Sequence, residues 1–131
     1  MKKIIALIVL FTSVFFTSCE DVVDVELDTA PPKLVIEAAI NWQKGTTGKQ
    51  QVVKLTTTTG YFESVIPTVS GATIYIRNSK NVQFNFTEVP KTGRYLCNNF
   101  APEINETNTL TVISGGNTYT ASETLKSVAP I

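Results

Sequence analysis

From Leu34 onward the chain changes character at every second residue. Leu34, Ile36, Ala38 and Ile40 share one side of a segment that carries Glu37 and Asn41 on the other. Val53, Leu55 and Thr57 alternate with Lys54 and Thr56, and Ala72, Ile74 and Ile76 with Thr73, Tyr75 and Arg77. Val82, Phe84 and Phe86 alternate with Gln83, Asn85 and Thr87, and strand-like segments follow at 93–97, 107–114 and 117–124. A period of two marks a pleated strand with one face in a core and the other in water. No window carries the i, i+3, i+4, i+7 stripe of an amphipathic helix. Turn chemistry separates the segments at Lys44-Gly45-Thr46-Thr47-Gly48, Ser70-Gly71, Asn78-Ser79-Lys80-Asn81, Pro90-Lys91-Thr92-Gly93 and Ser114-Gly115-Gly116-Asn117. Thr, Val and Ile supply 37 of the 113 residues from Cys19 onward. These side chains are stiff at χ1 and suit a pleated surface. Seven strands at a spacing of about ten residues predict an all-β, antiparallel β-sandwich over residues 33–126.

The beginning of the chain is different. Met1-Lys2-Lys3 leads into the apolar run Ile4 to Phe16, and Thr17-Ser18 precede Cys19. A basic start, an apolar stretch and small residues before a break are the parts of a secretory signal. As a helix the run spans about 20 Å, short of the roughly 30 Å hydrocarbon core. A removable signal peptide over residues 1–18 is therefore expected, rather than a membrane-spanning helix. Phe16-Thr17-Ser18-Cys19 resembles a bacterial lipobox. That resemblance implies a diacylglyceryl thioether on Cys19, cleavage before it and acylation of the freed amine. Two or more acyl chains hold a protein stably on a bilayer where one does not. The competing reading is an ordinary signal peptide followed by an incidental cysteine. With Cys19 a thioether, Cys97 has no intrachain disulfide partner. Its alternation with Tyr95 marks it as a small buried hydrophobe.

Residues 19–32 are expected to tether the domain. Five of the eleven acidic residues fall between positions 20 and 28, and Val23, Val25 and Leu27 alternate with Asp24, Glu26 and Asp28. One reading is an edge strand. The other is an extended tether repelled by anionic head groups, whose reach is about 46 Å at about 3.3 Å per residue. A flexible start from Cys19 to Val22, then the edge strand, then a Pro31-Pro32 break combines them. Carboxylates on alternate strand residues point outward in a row rather than converging, which favours a solvated face over a calcium site.

Lys and Arg number 11, as do Asp and Glu, so the formal net charge is zero; without residues 1–18 it is −2. That balance offers no basic groove for nucleic acid and no polybasic membrane patch. The chain has no histidine, the commonest general base and metal ligand. Glu37, Glu63, Glu88, Glu103, Glu106 and Glu123 stand singly on different segments. Neither a zinc ligand set nor a phosphate-cradling loop is present. An enzyme is not expected, nor a cofactor beyond the lipid on Cys19.

Aromatic residues are the candidates for ligand or partner contact. Tyr61 and Phe62 lie in the long segment between the second and third strands, near Gly60 and Pro67. An aromatic loop tip can stack on a sugar ring or dock in a partner groove. The alternative is that the two rings fold back and close the end of the sandwich. Trp42, just past the first strand, has the same pair of readings. Tyr119 is expected to pack inward with its hydroxyl bonded to a turn, and Thr56-Thr57-Thr58-Thr59 to form a solvated strand end.

The order of these pieces resembles a Bacteroidota lipoprotein family known only as a domain of unknown function. The resemblance rests on Cys19-Glu20-Asp21-Val22-Val23-Asp24-Val25, Pro32-Lys33-Leu34-Val35-Ile36-Glu37-Ala38, Tyr61-Phe62, Val69-Ser70-Gly71-Ala72-Thr73-Ile74, Gly93-Arg94-Tyr95 and Gly116-Asn117-Thr118-Tyr119-Thr120-Ala121. It implies an immunoglobulin-like or transthyretin-like sandwich and no catalytic residues. It also implies an outer-membrane accessory lipoprotein that partners a TonB-dependent nutrient-uptake receptor, with a glycan or peptide as ligand. The acids after Cys19 resemble the surface-export signals of such lipoproteins and imply the cell-surface side. Family members run longer after the Thr-Tyr-Thr-Ala strand, so residues 127–131 are expected to open a linker into a second region. The other expectation is a structural or adhesive envelope lipoprotein with no transport role.

Overall fold

The computed structural model describes residues 3–4 and 30–128. Cys19 and the expected edge strand Val23–Asp28 lie outside the described residues. Among the described residues eight strands form: β1 (Leu34–Ala38), β2 (Gln51–Thr57), β3 (Thr73–Asn78), β4 (Gln83–Asn85), β5 (Thr87–Val89), β6 (Arg94–Cys97), β7 (Thr107–Ser114) and β8 (Asn117–Thr124). They make two four-stranded sheets in the orders β1-β2-β6-β5 and β4-β3-β7-β8, with every pairing antiparallel. The chain is an all-β sandwich.

The alternating rows meet between the sheets. Val53, Leu55 and Tyr95 of the first sheet bury against Ile74 and Val112 of the second, with Leu34, Ile36 and Ala72 packed at the margin. Ile76, Phe84, Cys97 and Phe100 form a second cluster. There the Phe84 and Phe100 rings meet edge to face, with centroids 5.0 Å apart. Cys97 is buried, and its thiol donates to Asn99 Oδ1 at 3.2 Å.

One predicted strand divides in two. Residues 82–87 alternate without interruption, yet β4 pairs with β3 in the second sheet and β5 with β6 in the first. The break falls at Phe86. Its amide donates to the Ile74 carbonyl at 3.0 Å, and its side chain packs against both clusters. The chain thus crosses between layers while keeping an apolar residue inward, and residues 33–126 hold eight strands rather than the seven expected. Val82, expected in the core, is exposed because it closes a turn. Its amide donates to Asn78 Oδ1 at 2.8 Å and its carbonyl accepts from the Asn78 amide at 3.0 Å.

The crossing closes one side of the sandwich. On the opposite side each sheet ends in an edge strand, β1 in one and β8 in the other. The two ends of the sandwich also differ. At the proximal end the chain joins the domain, where the Lys33 amide donates to Thr58 Oγ1 at 2.9 Å and the Thr58 amide to the Lys33 carbonyl at 2.8 Å. The β2–β3 loop and the Gly115-Gly116 turn lie at this end. Both glycines have positive φ (56° and 77°), as a primed two-residue hairpin turn requires. At the distal end the chain leaves β8, and the Leu125 amide donates to the Glu106 carbonyl at 3.0 Å.

Candidate functional site

Between β1 and β8 the two layers part into a groove of about 520 Å³. Its walls are apolar, with Ile36 and Ile40 on one side, Tyr119 and Ala121 on the other, and Phe86 and Leu110 in the floor. Tyr119, Ala121 and Glu123 sit opposite Val112, Leu110 and Asn108 of β7 and so belong to the inward face of β8. They are nevertheless exposed, because the layers stand apart here. Hydroxyl pairs on the outer face hold β8 to β7, Thr109 with Ser122 at 2.8 Å and Thr107 with Thr124 at 2.9 Å.

Two features give the groove binding chemistry. β1 pairs only with β2 and β8 only with β7 among the described residues, so each edge presents free backbone donors and acceptors. The floor also holds a buried acceptor. Asn108 donates from Nδ2 to the Glu106 carbonyl at 3.2 Å, but its Oδ1 has no hydrogen-bond partner among the described residues. Glu106 Oε2, outside the groove lining, is likewise buried without a partner among the described residues, while Glu106 Oε1 accepts from Ser79 Oγ at 3.3 Å. A buried acceptor left empty loses its hydration without recompense, so this end of the groove suits an occupant that brings N–H or O–H groups.

Gln51 shapes the distal mouth. Its buried carboxamide donates to the carbonyls of Asn41 (3.0 Å) and Gly48 (2.7 Å) and accepts from the Asn41 amide (3.0 Å). Both ends of the β1–β2 loop are thereby clipped to β2. Trp42 lies in that loop, 43 % exposed. Its indole N–H donates to the Thr46 carbonyl at 3.0 Å, and its ring and Pro102 hem in Gly48, leaving no room for a Cβ.

Tyr61 and Phe62 sit at the opposite end from Trp42, on the β2–β3 loop. Their rings pack edge to face at 5.2 Å and stand clear of the domain. None of Trp42, Tyr61 and Phe62 lines the groove. Tyr119 does line it, half-exposed, and its hydroxyl makes no hydrogen bond among the described residues. Thr56, expected in solvent, is buried, because Pro67–Val69 takes the place beside β2 where β6 ends, through the Thr56–Thr68 bridge. Sequence reasoning missed Gln51 and Asn108 altogether. The one signal available was a polar residue on the apolar side of each strand, Gln51 in line with Val53 and Asn108 in line with Leu110. Among the described residues no three Cys, Asp or Glu side chains gather as a metal site.

The described residues thus form a two-layer β-sandwich with a groove along the edges that β1 and β8 leave unpaired among them. The chain belongs to the family described as a domain of unknown function (DUF4249), whose pattern matches residues 20–131. No curated protein and no solved structure matches it.

Proposed function

We propose that the chain is a lipid-anchored accessory lipoprotein of a TonB-dependent nutrient-uptake receptor, held on the cell-surface side of the outer membrane. In this reading it engages an extended segment of the receptor in the groove between β1 and β8. The lipobox at Cys19, the acids that follow it and the likeness to Bacteroidota lipoproteins support the address. The observation that carries the binding role is the groove itself. Among the described residues, two unpaired sheet edges flank an apolar floor, and Asn108 Oδ1 there has no hydrogen-bond partner. Strand addition uses these elements, with main-chain hydrogen bonds for affinity and alternate side-chain pockets for selectivity.

A detergent pull-down of the C-terminally tagged full chain tests this reading. It should recover a TonB-dependent receptor in stoichiometric amount, and Ala121→Trp, which fills the groove from an exposed edge strand, should abolish the recovery without lowering the melting temperature. Recovery of the lipoprotein alone, under conditions that preserve such complexes, leaves the structural or adhesive role in its place. Protease added to intact cells should cleave the chain, and complete protection would move it to the periplasmic face.

A further inference from the structure

We propose that the β2–β3 loop is a second, non-covalent membrane contact, in which Tyr61, Phe62, Val65 and Ile66 enter the lipid interface beneath the domain. The proposal rests on the reading that Cys19 is acylated. These four side chains are 85 %, 77 %, 74 % and 58 % exposed, within six consecutive residues. Single exposed apolar residues are ordinary on a protein surface, whereas a contiguous patch at a loop tip marks a contact.

The loop is built to project. Its base is fastened by the Thr57 amide on the Pro67 carbonyl at 3.0 Å and by the Thr56–Thr68 bridge. A turn at its tip is closed by the Glu63 amide on the Gly60 carbonyl at 3.1 Å. The aromatic rings pack on each other and not on the core.

The position of the loop identifies the occupant. Lys33 and Thr58 exchange two backbone-centred hydrogen bonds, so the segment that arrives from Cys19 and the loop that carries the rings leave the domain at one point. An anchor at Cys19 therefore keeps this end near the bilayer, and the tether's reach of about 46 Å leaves the loop free to touch it. Tethering makes the contact intramolecular, so modest affinity is enough. The side chains suit an interface, since Tyr and Phe sit at headgroup level while Val and Ile reach below it. Between positions 58 and 66 the only charge is Glu63. Lys33, exposed at the base of the loop, stands where lipid phosphates would be.

The chain's single tryptophan supplies an internal control. Trp42 lies at the far end of β2, roughly 20 Å away at about 3.3 Å per residue. The full chain is reconstituted in vesicles of phosphatidylethanolamine and phosphatidylglycerol with brominated acyl chains. Trp42 should escape quenching in the unmodified chain. In the Trp42→Phe/Phe62→Trp chain the indole should be quenched, as it should in a second variant, Trp42→Phe/Ile66→Trp. In the unacylated Cys19→Ala chain, Phe62→Ser should lower vesicle partitioning by about tenfold.

Intact mass separates the two readings. An acylated chain whose indoles at 62 and 66 are quenched no more than Trp42 overturns the loop contact and leaves the anchor. An unacylated chain that is still quenched at position 62 in excess lipid keeps the loop contact and removes the anchor. An indole untouched by pure lipid but shielded by receptor-containing extract marks a protein contact and overturns the lipid one.

Discussion

The hydroxyl of Tyr95 donates to the carbonyl of Val69 at 3.1 Å, joining the floor of the first sheet to the chain on its way into the second. The same oxygen accepts from the Ala72 amide at 3.1 Å. Tyr95 is buried, so its removal strands two backbone groups in a place that water reaches poorly. Tyr95→Phe should destabilise the fold by about 1–3 kcal/mol, measured by urea denaturation. Amide exchange at Ala72 should quicken more than exchange in β7. A uniform change in exchange across both sheets would show that the hydroxyl does not act locally.

Gly93 adopts φ 66°, and a Cβ there would run into the Leu55 carbonyl oxygen and the Thr68 side chain. Leu55 also donates its amide to the Gly93 carbonyl at 2.8 Å, so neither backbone can retreat without losing a hydrogen bond. Gly115 has a similar φ of 56° but nothing near its missing Cβ. Gly115→Ala should carry only the left-handed penalty of about 1–2 kcal/mol, and Gly93→Ala should exceed it by about 2 kcal/mol. Equal melting temperatures for the two variants would contradict the close approach.

Phe84→Ala and Ile74→Ala should each cost about 2–5 kcal/mol, and Phe100→Ala about 3–5 kcal/mol, since all three side chains are buried in the inter-sheet core. Near-native melting of any of them would refute its place between the sheets.

Glu88 should influence the acid limb of stability. The Gly71 amide donates to its carboxylate at 2.8 Å, and this bond, with the Ser70 side chain second, holds its pKa below the ordinary 4.5. The folded chain therefore binds this proton less readily than the unfolded one. The contribution is present above pH 4.5 and lost as pH falls through the depressed value. Glu88→Gln should flatten that part of a plot of urea midpoint against pH, and an unchanged acid limb would exclude the Gly71 contact as its cause. Lys80 works in the opposite sense. Its hydrogen bond to Glu103, followed by the charges of Glu103 and Glu106 against an opposing desolvation, raises its pKa above 10.5. Its contribution should be complete below pH 10.5 and fade as pH climbs through the raised value, so Lys80→Met should flatten the alkaline limb.

The inward rows of β2, β3, β6 and β7 were legible because one face of each meets a core, and a period of two records that directly. The crossing at Phe86 was not legible, because a strand that changes sheets keeps its alternation while its hydrogen-bond partners change. Phe100 was missed for a related reason: it is buried from an irregular segment between β6 and β7, where no period exists to read. The groove was illegible in a deeper sense. Tyr119 and Ala121 have the pattern of inward residues, and only the tertiary arrangement shows that nothing described covers them. The aromatic pair at 61 and 62 was visible as composition, but its direction depended on how Thr57 and Thr58 fasten the loop base.

Lys33 and Leu125 lie at opposite ends of the sandwich, with β1 and β8 running between them. A pull applied across these two points acts along the strand axes and slides β1 past β2 and β8 past β7. The five registered positions of the first pair and the eight of the second then bear the load together, instead of parting one rung at a time. A load along this line therefore meets both edge ladders in shear at once.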